Sequence, residues 1–296
     1  MKVSEFDSKY NFEVMGVSYI GNPKNGTVMF VKKKIASMLN NINGHEDCLV
    51  FVEEGIEIDD KLRINNALIT TAKPDWEYCK VAQVFSNSMH ENNVFRKYRM
   101  SENLYYLGEN VQIGENTQIE PGCFIGHDVV IGNDCIIHSG VRLENCEIGN
   151  RVVIRQNAVI GADAFTLVKD TYGNTVSIPS FGKVILKDNV EVGTLAAIYR
   201  GELSDTIIER FTKIDGGNFI GHDVKIGENC EITANCILGG FVVIMANTYI
   251  GIGSVVKNRI VVEENCFLCM GSVCTQNIRQ GTKVFGNPAK RIIAPN

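Results

Sequence analysis

The chain has no uninterrupted apolar run long enough to cross a membrane. Its most apolar stretch, Cys236 to Val262, is broken by Asn247, whereas a bilayer core calls for about 20 consecutive apolar residues. The opening MKVSEFDSKY lacks a basic segment leading into an apolar one, so no secretory signal is expected. Basic charge is not in excess either. With 29 Lys and Arg against 34 Asp and Glu the formal charge is −5, which argues against a nucleic-acid partner while leaving room for a local phosphate site. Zinc-finger spacing is also missing, because the one C-x-x-C pair, Cys266 and Cys269, has no second pair to match it. Ten cysteines without an export signal fit free thiols in a cytoplasmic protein.

What the chain does have is a period of six. Stepping from Ile208 gives Ile214, Ile220, Ile226, Ile232, Leu238, Ile244, Ile250, Val256, Val262 and Leu268, aliphatic at every step. An earlier run holds Leu107, Ile113, Ile119, Ile125, Ile131, Ile137 and Leu143, slips by one residue and resumes at Ile148, Ile154 and Ile160. Neither an α-helix nor an ordinary strand repeats this way, and six is the signature of a parallel β-helix with three flat faces per coil. One aliphatic residue per face points inward and stacks on its equivalent one coil above, so the stack is the core. Gly often follows the aliphatic residue, as at Gly221, Gly227 and Gly251, where a corner is expected to favour backbone angles that a Cβ resists. Four residues after the aliphatic position stands a small or β-branched one. Cys123, Cys135, Cys230, Cys236 and Cys266 fall in that column, where free Cys packs as a compact hydrophobe.

Three regions follow. Residues 1–102 lack the period and show β-rich runs at Thr27 to Val31 and Cys48 to Val52, with an amphipathic helix expected around Lys33 to Asn41; they read as a small α/β domain. Residues 103–285 carry the β-helix, interrupted by a long loop at 161–183 and a shorter one at 199–207. Residues 286–296 form a tail. Extended loops on a rigid scaffold are where binding and catalysis concentrate.

The motifs at those loops are GADAF (161–165), Ile178-Pro179, GKVILKDNVEVG (182–193), RGELSDTII (200–208) and IGHDVKIGENC (220–230). In this order and spacing they resemble the UDP-3-O-acylglucosamine N-acyltransferases of lipid A synthesis. The resemblance implies a left-handed β-helix, a homotrimer with sites between subunits, and acyl transfer from a thioester to the amine of a nucleotide-linked sugar. It assigns the general base to His222, a role imidazole suits because it titrates near working pH. By the same resemblance Phe30 in the N-terminal domain, and Asp163, Phe165, Tyr199 and Arg200 at the loops, are substrate-binding. The sequence departs from that family where Tyr199 precedes Arg200 in place of an Asp, where Lys33 replaces an Asn, and near Arg259, where a second His is expected. An echo segment, FIGHDVVIG (124–132), nearly duplicates FIGHDVKIG (219–227). His127 in it is read as a wall residue, as is His138, because repetition generates copies without function. His45 and His90 carry no signal.

The last residues read VFGNPAKRIIAPN. GNPAKRI (286–292) resembles the closing motif of sugar acetyltransferases that use coenzyme A. It implies acyl-coenzyme A as co-substrate with Gly239, Asn287, Lys290 and Arg291 as its ligands, the basic pair meeting phosphate; a merely solvated basic terminus is the plain alternative. The combined expectation is an N-acyltransferase acting on a nucleotide-linked amino or amino-dideoxy sugar, of the anthrose-pathway type, without a metal. The alternative is a UDP-3-O-acylglucosamine N-acyltransferase using acyl carrier protein. A γ-carbonic anhydrase-like zinc enzyme and a non-catalytic trimeric scaffold are the readings from other classes.

Overall fold

The computed structural model describes residues 1–291; Ile292 of the closing motif and the four residues after it lie outside. The described residues fall into two compact units, residues 1–95 with 165–181, and residues 96–164 with 182–291. Two expectations are corrected here. The boundary falls ahead of Arg96 rather than at 102, because Arg99–Met100 already pairs with Tyr106–Leu107. Most of the 161–183 loop groups with the N-terminal unit, where its hairpin Leu167–Lys169/Thr175–Ser177 buries Val168 and Ile178.

The N-terminal unit is a four-stranded parallel sheet, β1 (Gly16–Val17), β2 (Thr27–Val31), β3 (Leu49–Glu53) and β4 (Ala67–Thr71), in that spatial order. α1 (Pro74–Asn93) packs on β2 and β3. Its Pro at the first turn suits a position whose N–H has no intrahelical partner. The helix expected at Lys33 to Asn41 is instead a 3₁₀ run, Lys33–Ile42, kinked at Ile35.

The second unit is a parallel β-helix of three sheets. Face 1 has eight strands, among them Val130–Ile131, Thr206–Ile208 and Lys225–Ile226; face 2 has ten, among them Ile136–Ile137 and Glu231–Ile232; face 3 has ten, among them Phe124–Ile125, Ala197–Tyr199 and Phe219–Ile220. Rungs recur eighteen residues apart, so Ile220 pairs with Leu238 and Leu238 with Val256. Every aliphatic step from Ile208 to Leu268 is buried, as are the five column cysteines. In the earlier run Ile113 is 38 % exposed and Ile119 only partly buried, because their strands end faces 1 and 2 and have no rung beneath them.

The glycines at the corners differ from expectation in mechanism. A Cβ on Gly221 would stand 2.8 Å from the Gly240 nitrogen of the next coil, so glycine is needed there for close approach. The left-handed backbone falls two residues later, on Asn110, Asp128, Asp223 and Asn229. Short polar side chains tolerate that conformation by bonding locally.

Candidate active site

Three consecutive coils are elaborated at one edge of the prism, the corner leading from face 3 to face 1. The chain leaves face 3 at Ala162 and re-enters face 1 at Val184, leaves again at Tyr199 and re-enters at Thr206, then turns once more through Gly221 to Val224. His222 stands in the third of these turns. Its side chain is 19 % exposed, and Nδ1 lies 2.8 Å from Asp223 Oδ2.

Asp223 is buried and held from several sides. Glu202, Leu203 and Ser204 donate backbone N–H groups to its carboxylate at 2.8, 3.3 and 2.6 Å, and the Ser204 hydroxyl donates at 2.7 Å. Burial pushes its pKa up, but the bonds from His222, Ser204 and Glu202 outweigh it and leave the carboxyl below its usual range. An ionised carboxylate only accepts, so Nδ1 must carry the hydrogen and Nε2 keeps a lone pair. The other side of the ring meets Phe241 edge-on at 5.2 Å, with the Arg259 guanidinium 4.2 Å over Phe241. Gly240, one rung above, completes the wall. A Cβ there would come 2.4 Å from Nε2, so only glycine leaves room for the ring.

The echo segment folds differently at the side-chain level. His127 Nδ1 accepts the backbone N–H of Glu109 at 2.8 Å, its ring lies on Tyr98 at 4.4 Å, and Asp128 is taken by Arg96. An accepting Nδ1 puts the hydrogen on Nε2, which then has no lone pair to offer. Burial and the Arg96 charge also lower the His127 pKa. Two near-identical hexads thus hold opposite tautomers.

Of the residues expected at the site, the structure gathers Asp163, Tyr199, Arg200 and His222 along this edge. Arg200 Nε donates to the Gly182 carbonyl at 2.7 Å and its Nη1 pairs with Asp163 at 3.3 Å. Tyr199 packs on Phe219 at 4.9 Å. The Gly239 N–H bonds to Val256 and its carbonyl accepts from Val242, and its neighbour Gly240 is the residue against the imidazole. Phe30 and Phe165 belong to the N-terminal unit, Phe30 beside Tyr78 at 5.0 Å and Phe165 82 % exposed. Lys290 and Arg291 form a strand antiparallel to Val284 and Phe285. With Arg279 and Pro288 they line a depression of about 710 Å³ at the last coil; Asn287 precedes Pro288 there. Asp223, Glu202, Ser204 and Gly240 were not singled out from sequence. The Asp after the His was visible, but nothing linear announced that the 202–204 backbone would close over it.

Glu202, His222 and Asp223 offer ligand atoms within 4.8 Å of one another, the one such metal-type group among the described residues. Both Asp223 oxygens are already taken by protein donors, so a cation would have to displace them. His127 and His138 do not converge, since His138 lies at the corner from face 2 to face 3 with Nδ1 on Glu120.

Comparison with known proteins bears on the fold first. The sequence model of the bacterial transferase hexapeptide (six repeats) matches residues 110–145 and 205–240. A UDP-3-O-acylglucosamine N-acyltransferase of Coxiella burnetii is 47% identical over 103 residues, 34% of this chain and 30% of that protein. A protein of the same name from Methylorubrum populi is 33% identical over 166 residues, 52% of this chain and 44% of that protein. The chain therefore matches less than half the length of either relative. Among solved structures, a UDP-N-acetylglucosamine acyltransferase from Campylobacter jejuni superposes with TM-score 0.56 at 22% identity, covering 66% of this chain and 74% of that one. An Arabidopsis enzyme of that name gives 0.55 at 24%, covering 66% and 73%. These likenesses fix the fold as a left-handed parallel β-helix with hexapeptide repeats. The usual preference for right-handed crossovers would have given the opposite hand.

Proposed function

We propose that this chain is an acyltransferase that moves an acyl group from a thioester to the amine of a nucleotide-linked amino sugar, with His222 as general base. The observation that carries it is the tautomer Asp223 imposes, which puts the basic lone pair of the ring on Nε2. As the sugar nitrogen bonds to the thioester carbonyl, its proton passes to Nε2. When the C–S bond breaks, the departing sulfur takes that proton back. The oxyanion in between needs a donor, and the Gly240 N–H, for which no acceptor is found among the described residues, stands beside the imidazole. Asp163, Tyr199 and Arg200, on the same edge, would hold the sugar.

The relatives' names favour an acylated UDP-glucosamine as acceptor over an amino-dideoxy sugar. For the donor, coenzyme A is supported by the basic depression at Arg279, Lys290 and Arg291. Its Asn277 side lies three rungs above His222, about 14 Å at the usual strand spacing. That distance suits a long flexible arm ending in a thioester. Acyl carrier protein is the alternative donor.

A homotrimer is supported by the outward columns. Face 1 presents Ile185, Ile207, Val243 and Val261, interrupted by Lys225, and face 3 presents Phe219, Ile237, Val255 and Val273, while face 2 mixes Glu191, Lys213 and Glu231 with Tyr249 and Phe267. Largely apolar columns on the two faces that meet at the His222 edge suit neighbours of the same kind. The test is to incubate the protein with acyl-coenzyme A or acyl carrier protein thioesters and nucleotide-linked amino sugars, with mass spectrometry of the products. An N-acylated sugar nucleotide that disappears with His222→Ala is expected. Product at wild-type rate from that variant would remove His222 from the chemistry.

A further inference from the structure

Asp223 is not the only acid beside the imidazole. Glu202, in the turn one coil below, is 3 % exposed, and its Oε2 lies 4.0 Å from the same Nδ1 that Asp223 holds. Its backbone N–H donates to Asp223, so one residue both fixes the first carboxylate and brings up a second. The echo site is bonded differently. One coil below His127 stands Glu109, but there the backbone N–H goes to the ring itself and the carboxylate takes the Lys97 N–H. With its acid of the coil below turned to the Lys97 N–H and Arg96, the same hexad has the opposite tautomer.

We propose that Glu202 is a positioning residue for proton transfer at His222, supplying a second buried carboxylate that stabilises the imidazolium formed when Nε2 accepts the proton. The proposal rests on His222 acting as the base. An anion close to a ring that takes up a proton favours the ring's charged form. The groups facing the ring are Asp223, Glu202, the Phe241 edge and, through Phe241, Arg259. Lys225 acts at one remove, on Asp223 and Asp205.

The experiment is an NMR titration of the His222 ring in the full chain and in Glu202→Gln, with His222→Gln to assign the signal, alongside kcat and KM across pH. Loss of the charge should lower the His222 pKa by about one unit and kcat by about ten-fold with KM little changed, moving the acid limb of the profile down with the titration. Glu202→Asp, which keeps the charge, should recover most of both and guards against a folding defect in the Gln variant. A His222 titration unmoved in Glu202→Gln overturns the pairing, whatever turnover does. A titration that moves while the rate at every pH stays constant keeps the pairing and sinks His222 as the base.

Discussion

His222 Nδ1 and Asp223 Oδ2 lie 2.8 Å apart, neighbours in sequence whose side chains meet with Asp223 in a left-handed backbone, φ 58°, and its carboxylate held by the 202–204 turn. That contact sets the hydrogen on the ring. Asp223→Asn can offer its amide instead, inviting the wrong tautomer, and should lower kcat by about two orders of magnitude or more. His127→Asn, at the echo site, should stay within about three-fold of the parent. Steady-state kinetics on the two variants distinguishes the twins.

Gly240→Ala would drive a methyl onto the imidazole, since the added Cβ falls 2.4 Å from Nε2. We expect a loss of at least about a hundred-fold in kcat, the scale of a removed base or oxyanion donor. Circular dichroism should show the β-helix retained, because the ladder bonds of the neighbouring rungs do not depend on this ring.

Asp223 also ties folding to pH. Its carboxyl is depressed in the folded protein, so its contribution is fully present above the unfolded pKa, about 3.9, and is lost as pH falls through the folded value. The Tm gap between the parent chain and Asp223→Asn should be flat from about pH 5 to 7 and close below about pH 4. A gap that widens in acid would reverse the sign.

The cysteines offer a test of the prism. Nine of the ten are buried and only Cys269 is partly open; burial raises the Cys48 and Cys274 thiols to about 11. A thiol reagent at neutral pH should therefore titrate no more than one group in the native chain, and all ten after unfolding.

Core truncation should be costly because each rung touches the next. Ile226→Ala, at a position 1 % exposed, should destabilise by about 2–5 kcal/mol. Chemical denaturation measures it directly.

The period of six was enough to name the three-faced coil, because an inward side chain every sixth residue admits no other packing of comparable regularity. It also placed the column cysteines and pointed to loops at 161–183 and 199–207. Linear spacing says nothing of what lies eighteen residues away on the next rung, and that is where the site is made. FIGHDV occurs twice, and the sequence gives no reason for one imidazole to face a carboxylate and the other a backbone N–H. The difference comes from Glu202, Leu203 and Ser204 folding back over Asp223, against Glu109 bonding to His127. Local pattern settled the scaffold, since stacked aliphatics need only their period; the proton's place on the ring was decided by contacts between coils, which only the folded chain brings together.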